Sequence, residues 1–162
     1  MKTLSPAELA RRVELMLARP DATRRDLEQL CAAARALGSH AVCVCGSQVE
    51  LARSLLEDSE VTVTGLVGFP FGAADADAKR YETEVAIDHG AHEIETVLNV
   101  GRLKDGDHHC VLRELRDIAE AADERHVKVI LEMSLLTPEE ARRACELALE
   151  SGVHCVCTGT GL

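Results

Sequence analysis

The chain has 162 residues, 46% of them apolar and 28% charged, with 28 acidic against 18 basic side chains and a formal net charge of -10. This length and mix describe one soluble domain over residues 1–162, able to bury roughly two-thirds of the surface its unfolded form exposes, and they exclude disordered, collagenous and coiled-coil chains. Only four lysines are present and acid predominates, so the clustered cations that bind nucleic acid are missing. No apolar run reaches the roughly 18 to 20 residues of a membrane span, and the opening MKTLSPAELARRVEL is too charged for a signal-peptide core. The expected compartment is the cytoplasm.

In chain order, Ser5-Pro6-Ala7-Glu8 opens a helix as a capping box with Pro at its first position. A short strand is expected within residues 13–17. The run DLEQLCAAARAL reads as a helix closed by Gly38 and followed by a strand over 40–45. Ser47-Gln48-Val49-Glu50 matches a second capping box, and residues 61–68 read as a strand. The helix AKRYETEVAIDH ends before Gly90, a strand follows over 93–100, and Asp107 to Cys110 mark another helix start. A strand over 127–133 leads into a third capping box, Thr137-Pro138-Glu139-Glu140, a helix ending at Gly152, and a last strand over 153–159.

Such alternation predicts a parallel sheet, either doubly wound or closed as a (β/α)8 barrel. No G-x-G-x-x-G follows the first strand, so the dinucleotide fingerprint is absent. The stretch GLVGFPFG over 65–72 lacks the Lys-Ser/Thr of a P-loop, and Phe69 and Phe71 within it serve equally as core filling or as a ligand wall. The seven cysteines, Cys31, Cys43, Cys45, Cys110, Cys145, Cys155 and Cys157, form an odd set outside any secreted context and read as mostly reduced, buried thiols. Cys43/Cys45 and Cys155/Cys157 have period-two spacing inside strand runs, so each pair shares a strand face. Zinc ligands more often sit on turns, and no metal is expected.

From about residue 13 to 162 the chain resembles the deoxyribose-phosphate aldolases, class I aldolases on the (β/α)8 barrel. The resemblance is carried by Arg19-Pro20-Asp21-Ala22-Thr23, by Ala41-Val42-Cys43-Val44, and by Gly68-Phe69-Pro70-Phe71-Gly72 with Lys79 and Glu82. It continues through Gly90-Ala91-His92-Glu93-Ile94-Glu95 with Asn99 and Gly101, then Val127-Lys128-Val129-Ile130-Leu131-Glu132, Leu135-Leu136-Thr137 and the helix around Cys145. It implies reversible aldol cleavage of 2-deoxyribose 5-phosphate to glyceraldehyde 3-phosphate and acetaldehyde, with no cofactor and a small phosphorylated sugar as partner. It also implies about six of the family's eight βα units, the chain ending near the sixth strand. Exposed edges at the first and sixth strands would then favour a homo-oligomer.

The family's reaction needs a lysine that forms an imine and an acid/base that moves protons. In Val156-Cys157-Thr158-Gly159-Thr160-Gly161, matching the family's V-K-T-S-T-G, Cys157 stands at the lysine position. A thiol adds to an aldehyde but provides no iminium electron sink. Glu95 stands at the fourth-strand aspartate position, one methylene longer, and Glu14-Leu15-Met16 matches the first-strand D-H-T. Among Lys2, Lys79, Lys104 and Lys128, only Lys128 lies on an expected barrel strand, as a substitute imine former or, in the favoured reading, a salt-bridged lysine. Glu132 is an acid/base partner for Glu95 or a structural partner of Lys128. The candidate catalytic set is therefore Glu95, Cys157 and Lys128. The alternatives to an active carbon–carbon lyase are a non-catalytic remnant (pseudoenzyme) that binds a phosphosugar or a partner subunit, and a thiol enzyme using Cys157.

Overall fold

The computed structural model describes residues 4–161. Its elements are α1 (Pro6–Ala10), β1 (Glu14–Leu17), α2 (Arg24–Leu37), β2 (Ala41–Cys45), α3 (Val49–Leu55), β3 (Thr62–Val67), α4 (Ala76–Asp88), β4 (Glu93–Val97), α5 (Val100–Lys104), α6 (His108–Ala121), β5 (His126–Ile130), α7 (Pro138–Ser151) and β6 (Cys155–Cys157). The strands form one sheet in chain order, and every neighbouring pair is parallel. A doubly wound sheet reverses its order at a switch point, whereas consecutive neighbours joined by helical crossovers build a barrel wall. Curvature is visible in one contact: Lys128 on β5 reaches Glu14 on β1 at 2.6 Å. In a flat sheet those strands would stand about 19 Å apart, four spacings of about 4.8 Å. The six strands therefore curl into part of a (β/α)8 barrel.

Most local signals are realised. Ser5/Glu8 and Thr137/Glu140 form their capping boxes, and Gly38 and Gly152 close α2 and α7 in the left-handed conformation. Thr23 and Asp26 make a third box in which aspartate replaces the usual glutamate. The expected box at Ser47 does not form: a 3₁₀ turn over Gly46–Gln48 leads directly into α3, which has no side-chain cap. Two strands end earlier than their apolar runs. Asn99 leaves the ladder to cap α5, accepting from the Arg102 N–H at 3.2 Å, and Glu132 turns left-handed with φ 53°.

Strand side chains alternate between two environments. The outward set, including Val42, Val44, Val63, Val67, Ile94 and Val127, packs against Leu27 and Ala34 of α2, Val49 and Ala52 of α3, Ala86 of α4 and Ile118 of α6. A second cluster joins Val129 and Leu131 to Leu103, Leu115, Ala144 and Leu147. Burying a side chain such as Leu27 or Leu115, both without exposure, contributes about 1.5–3 kcal/mol each. The expectation of mostly buried cysteines is corrected: only Cys31 and Cys43 are buried, Cys45 and Cys157 are half-buried, and Cys110, Cys145 and Cys155 are exposed. Cys110 and Cys145 lie on the solvent sides of α6 and α7, where helical periodicity rather than hydrophobicity decides exposure. All seven are free thiols. No helix among the described residues is long and apolar enough to cross a membrane.

Lys79 of α4 is completely buried behind the barrel wall and donates to Glu114 of α6 at 2.7 Å and to the Val97 carbonyl at 2.9 Å. Burial pulls the Lys79 ammonium down and pushes the Glu114 carboxyl up, their mutual attraction restoring part of each shift. Gly72 tightens the loop beside them: at φ +67°, a Cβ there would meet the Leu98 carbonyl oxygen at 2.1 Å. Lys79→Met alone is expected to lower unfolding free energy by about 3–5 kcal/mol, because it strands Glu114, whereas Lys79→Met with Glu114→Leu should recover most of that loss. Urea titrations of the two variants check this.

Candidate active site

Inward-facing residues of the strands meet on the concave face of the sheet. On β5 these are Lys128 and Ile130, on β4 Glu93, Glu95 and Val97, on β2 Cys43 and Cys45, and on β1 Glu14. Except for Glu93, which crosses between the two sets, their contacts sort them by strand parity, the arrangement of a barrel interior in which alternate strands supply successive layers. Odd strands give Glu14, Thr64 and Lys128: the Lys128 ammonium lies 2.6 Å from Glu14 Oε2 and 3.4 Å from Thr64 Oγ1. Even strands give Cys43, Glu95 and Cys157. The Cys43 thiol donates to Glu95 Oε2 at 3.4 Å, and the same carboxylate raises the Cys157 thiol on the next even strand. Glu93, one step lower on β4, bridges Lys128 at 3.2 Å and His40 Nε2 at 2.7 Å.

Each candidate is thereby placed. Glu95 is buried, 5% exposed, at the centre of the concave face with a thiol on either side. Cys157 is half-buried on β6, near enough to Glu95 to feel its charge. Lys128 faces the interior, as period two predicts, and is the salt-bridged lysine of the favoured reading. Burial alone would lower its pKa, but Glu14, Glu93 and Glu95 together outweigh that and hold the ammonium above its ordinary value. An imine needs the free amine, so this environment works against the substitute role. Burial pushes the Cys157 thiol up to about 12, with the Glu95 charge adding to the effect. The Cys43 thiol is raised for the same reasons.

Glu132 does not pair with Lys128. Its Oε2 accepts from the Thr160 N–H at 3.0 Å and hydroxyl at 2.8 Å, and its Oε1 from the Ser134 hydroxyl at 2.8 Å, so it ties the loop after β5 to the loop after β6. Close by, Pro70, Phe71, Val97, Val100, Leu135 and these polar groups line a hollow of about 380 Å³ at the carboxyl ends of the strands. Phe71 is 83% exposed, which removes the core-filling reading for it and leaves it as a wall of this hollow. A larger hollow of about 800 Å³, bordered by Arg35, His40 and Glu60, lies at the amino ends. In parallel barrels that end serves stability, and chemistry occupies the carboxyl ends. Sequence reasoning missed Glu14, Glu93 and Cys43 as members of the interior group. The period-two spacing of Glu93 and Glu95 was the available signal.

A curled parallel wall with an inward carboxylate at its centre defines a (β/α)-barrel protein with a polar, ionisable interior. The DeoC/LacD family aldolase profile matches residues 12–161. Deoxyribose-phosphate aldolase 1 of Bacillus licheniformis is 44% identical over 155 residues, covering 95% of this chain and 70% of that protein. The deoxyribose-phosphate aldolase of Mycoplasma mycoides subsp. mycoides SC is 42% identical over 154 residues, covering 95% and 79%. Among solved structures, one from Coccidioides immitis assigned as a deoxyribose-phosphate aldolase superposes with a TM-score of 0.96 at 31% identity, covering all of this chain and 64% of that one. The tetrameric deoxyribose phosphate aldolase from Aeropyrum pernix gives 0.90 at 28% identity, covering 98% and 67%. The chain belongs to the DeoC/LacD aldolase family. It spans about two-thirds of the length of the relatives it matches.

Two outcomes follow from the interior charges. Lys128 contributes stability below its unfolded pKa of about 10.4, lost only as pH rises through the higher folded value. Glu93 is held below the usual carboxylate range, since Lys128 and His40 outweigh the opposing burial, so its contribution is present above about pH 4.3 and lost as pH falls through the folded value. Lys128→Met should therefore cost about 3 kcal/mol at pH 7 and progressively less below pH 4, as read by urea unfolding across pH. For Cys157, a pKa of about 12 leaves about one thiolate in ten thousand at pH 8. Iodoacetamide at that pH should label exposed Cys145 first and Cys157 far more slowly, as followed by peptide mass spectrometry.

Proposed function

We propose that this chain is an aldolase-type barrel wall that takes up a short phosphorylated sugar at the carboxyl ends of its strands and does not form an imine with it. The observation that carries the reading is the state of Lys128, bound by Glu14 at 2.6 Å and Glu93 at 3.2 Å, while the lysine position of the family motif is Cys157. Aldol cleavage through a Schiff base requires an amine that can lose its proton near neutral pH. Three carboxylates favour the opposite. What the relatives' names supply is the ligand class: 2-deoxyribose 5-phosphate or its cleavage products. Glu95 is the group we assign to hydrogen-bond a substrate hydroxyl or carbonyl hydrate, and the hollow walled by Phe71 and Leu135 supplies a partly apolar surface at the carboxyl ends of the strands. We assign the protein to the cytoplasm and to a self-associating state on the same family-level grounds.

Intact mass after incubation with 2-deoxyribose 5-phosphate and borohydride tests the chemistry, and titration calorimetry with the same sugar tests uptake. The expected result is measurable binding with no reduced adduct on the native chain, and an adduct on Cys157→Lys. An adduct on the native chain that disappears in Lys128→Ala would overturn the reading in favour of an active aldolase. Absence of sugar binding would overturn the uptake.

A further inference from the structure

The concave face holds a set of metal-ligating atoms drawn from three strands, whose use as a cation site neither the fold nor the family reaction requires. Ligating atoms of Glu14, Cys43 and Glu95 all lie within 4.8 Å of one another. Cys43 has no exposure and Glu95 only 5%. Glu14 gives one oxygen to Lys128, and the other, Oε1, is buried without a hydrogen-bond partner. Such an atom loses its water on folding and gains nothing in return. Charge points the same way. Glu14, Glu93 and Glu95 surround one ammonium, so the group carries a net charge of minus two when His40 is neutral. Negative charge buried in that excess is costly unless a cation joins it.

We propose that Glu14 Oε1, Cys43 Sγ and a Glu95 oxygen form a site for one thiophilic divalent cation, with zinc the best fit. Magnesium and calcium take oxygen donors alone, whereas a thiolate beside two carboxylates suits zinc at four-coordination. Three protein ligands leave a fourth position for water. Binding breaks the Cys43 S–H bond, forms a metal–sulfur bond and releases one proton to solvent, with no change of oxidation state. Affinity therefore rises about tenfold per pH unit for each proton released. The cation replaces the thiol proton that now bridges Cys43 to Glu95, and Lys128 keeps Glu14 Oε2. Glu95 is shared with the proposed sugar site, so cation and sugar would compete for it, and titration without sugar separates the two.

The test uses the full chain, stripped by chelator and titrated without sugar. Cobalt(II) should give a near-ultraviolet thiolate-to-metal band saturating at one ion per chain, and zinc should bleach it. Cys43→Ala should abolish the band, and Glu14→Gln should weaken zinc binding at least tenfold, while Cys110→Ala and Cys145→Ala leave both unchanged. Circular dichroism confirms that each variant is folded. Should Cys43→Ala fail to fold, Glu14→Gln carries the decision. No band at pH 8, a band surviving in Cys43→Ala, or unchanged zinc affinity in Glu14→Gln would each overturn the proposal.

Discussion

The ion pair between Lys128 on β5 and Glu14 on β1 organises the interior, because it joins strands that adjacent pairing never brings together. Backbone ladders fix only nearest neighbours, and a parallel sheet of six strands can open flat or curl. Twist inclines it to curl, but the inward side chains decide how tightly. Here a single ammonium is reached by carboxylates from β1 and β4 and by a hydroxyl from β3. Such a meeting exists only at the curvature of a barrel. The arrangement costs desolvation of every partner, which the outer aliphatic layers offset by burying their apolar surface against α2 to α7.

That organising contact also sets the chemistry. A lysine that gathers three carboxylates is held charged, and a charged lysine cannot attack a carbonyl. One layer up, Glu95 has thiols from β2 and β6 rather than an amine in its surroundings. Both thiols are raised by burial and by the Glu95 charge, so they act as hydrogen-bond donors near neutral pH. The interior is thus proton-rich at its upper layer and cation-bound at its lower one. That order suits the proposed recognition of a polar ligand better than imine turnover at Lys128.

Much of the architecture was legible in the chain because it rests on local rules. Pro6 and Pro138 with their capping boxes, the glycine helix ends and the β-branched runs each act within a few residues. The orientation of Lys128 followed from period two. The misses share one physical cause, competition from nonlocal or turn-level interactions. Ser47 has the capping pattern, yet the 3₁₀ turn it lies in satisfies the chain first. Residues 98–100 and 131–133 continue apolar runs, yet Asn99 and Glu132 gain more by capping α5 and by binding the β6 loop. Glu14 and Glu93 stand in the motifs that carry the family resemblance, but their pairing is not legible there, since only closure of the sheet reveals Lys128 between them. Cys43 reads as a buried thiol sharing a strand face with Cys45, and its contact with Glu95 is hidden for the same reason.

The two buried lysines show how the fold separates the requirements of imine chemistry. Lys79 meets one carboxylate, Glu114, and burial outweighs that attraction, so its amine is the easier of the two to discharge. It has no exposure at all, however, and lies between α4 and α6 on the outer side of the wall, where a Cβ on Gly68 would already touch its Cε at 2.7 Å. No aldehyde can approach it without opening the helical layer. Lys128 faces the interior that a ligand would enter, but three carboxylates hold its proton. A nucleophilic amine needs both a depressed pKa and an open path, and each lysine has one without the other. Reversing this at Lys79 would require dismantling the core, and at Lys128 removing the carboxylates that curl the sheet.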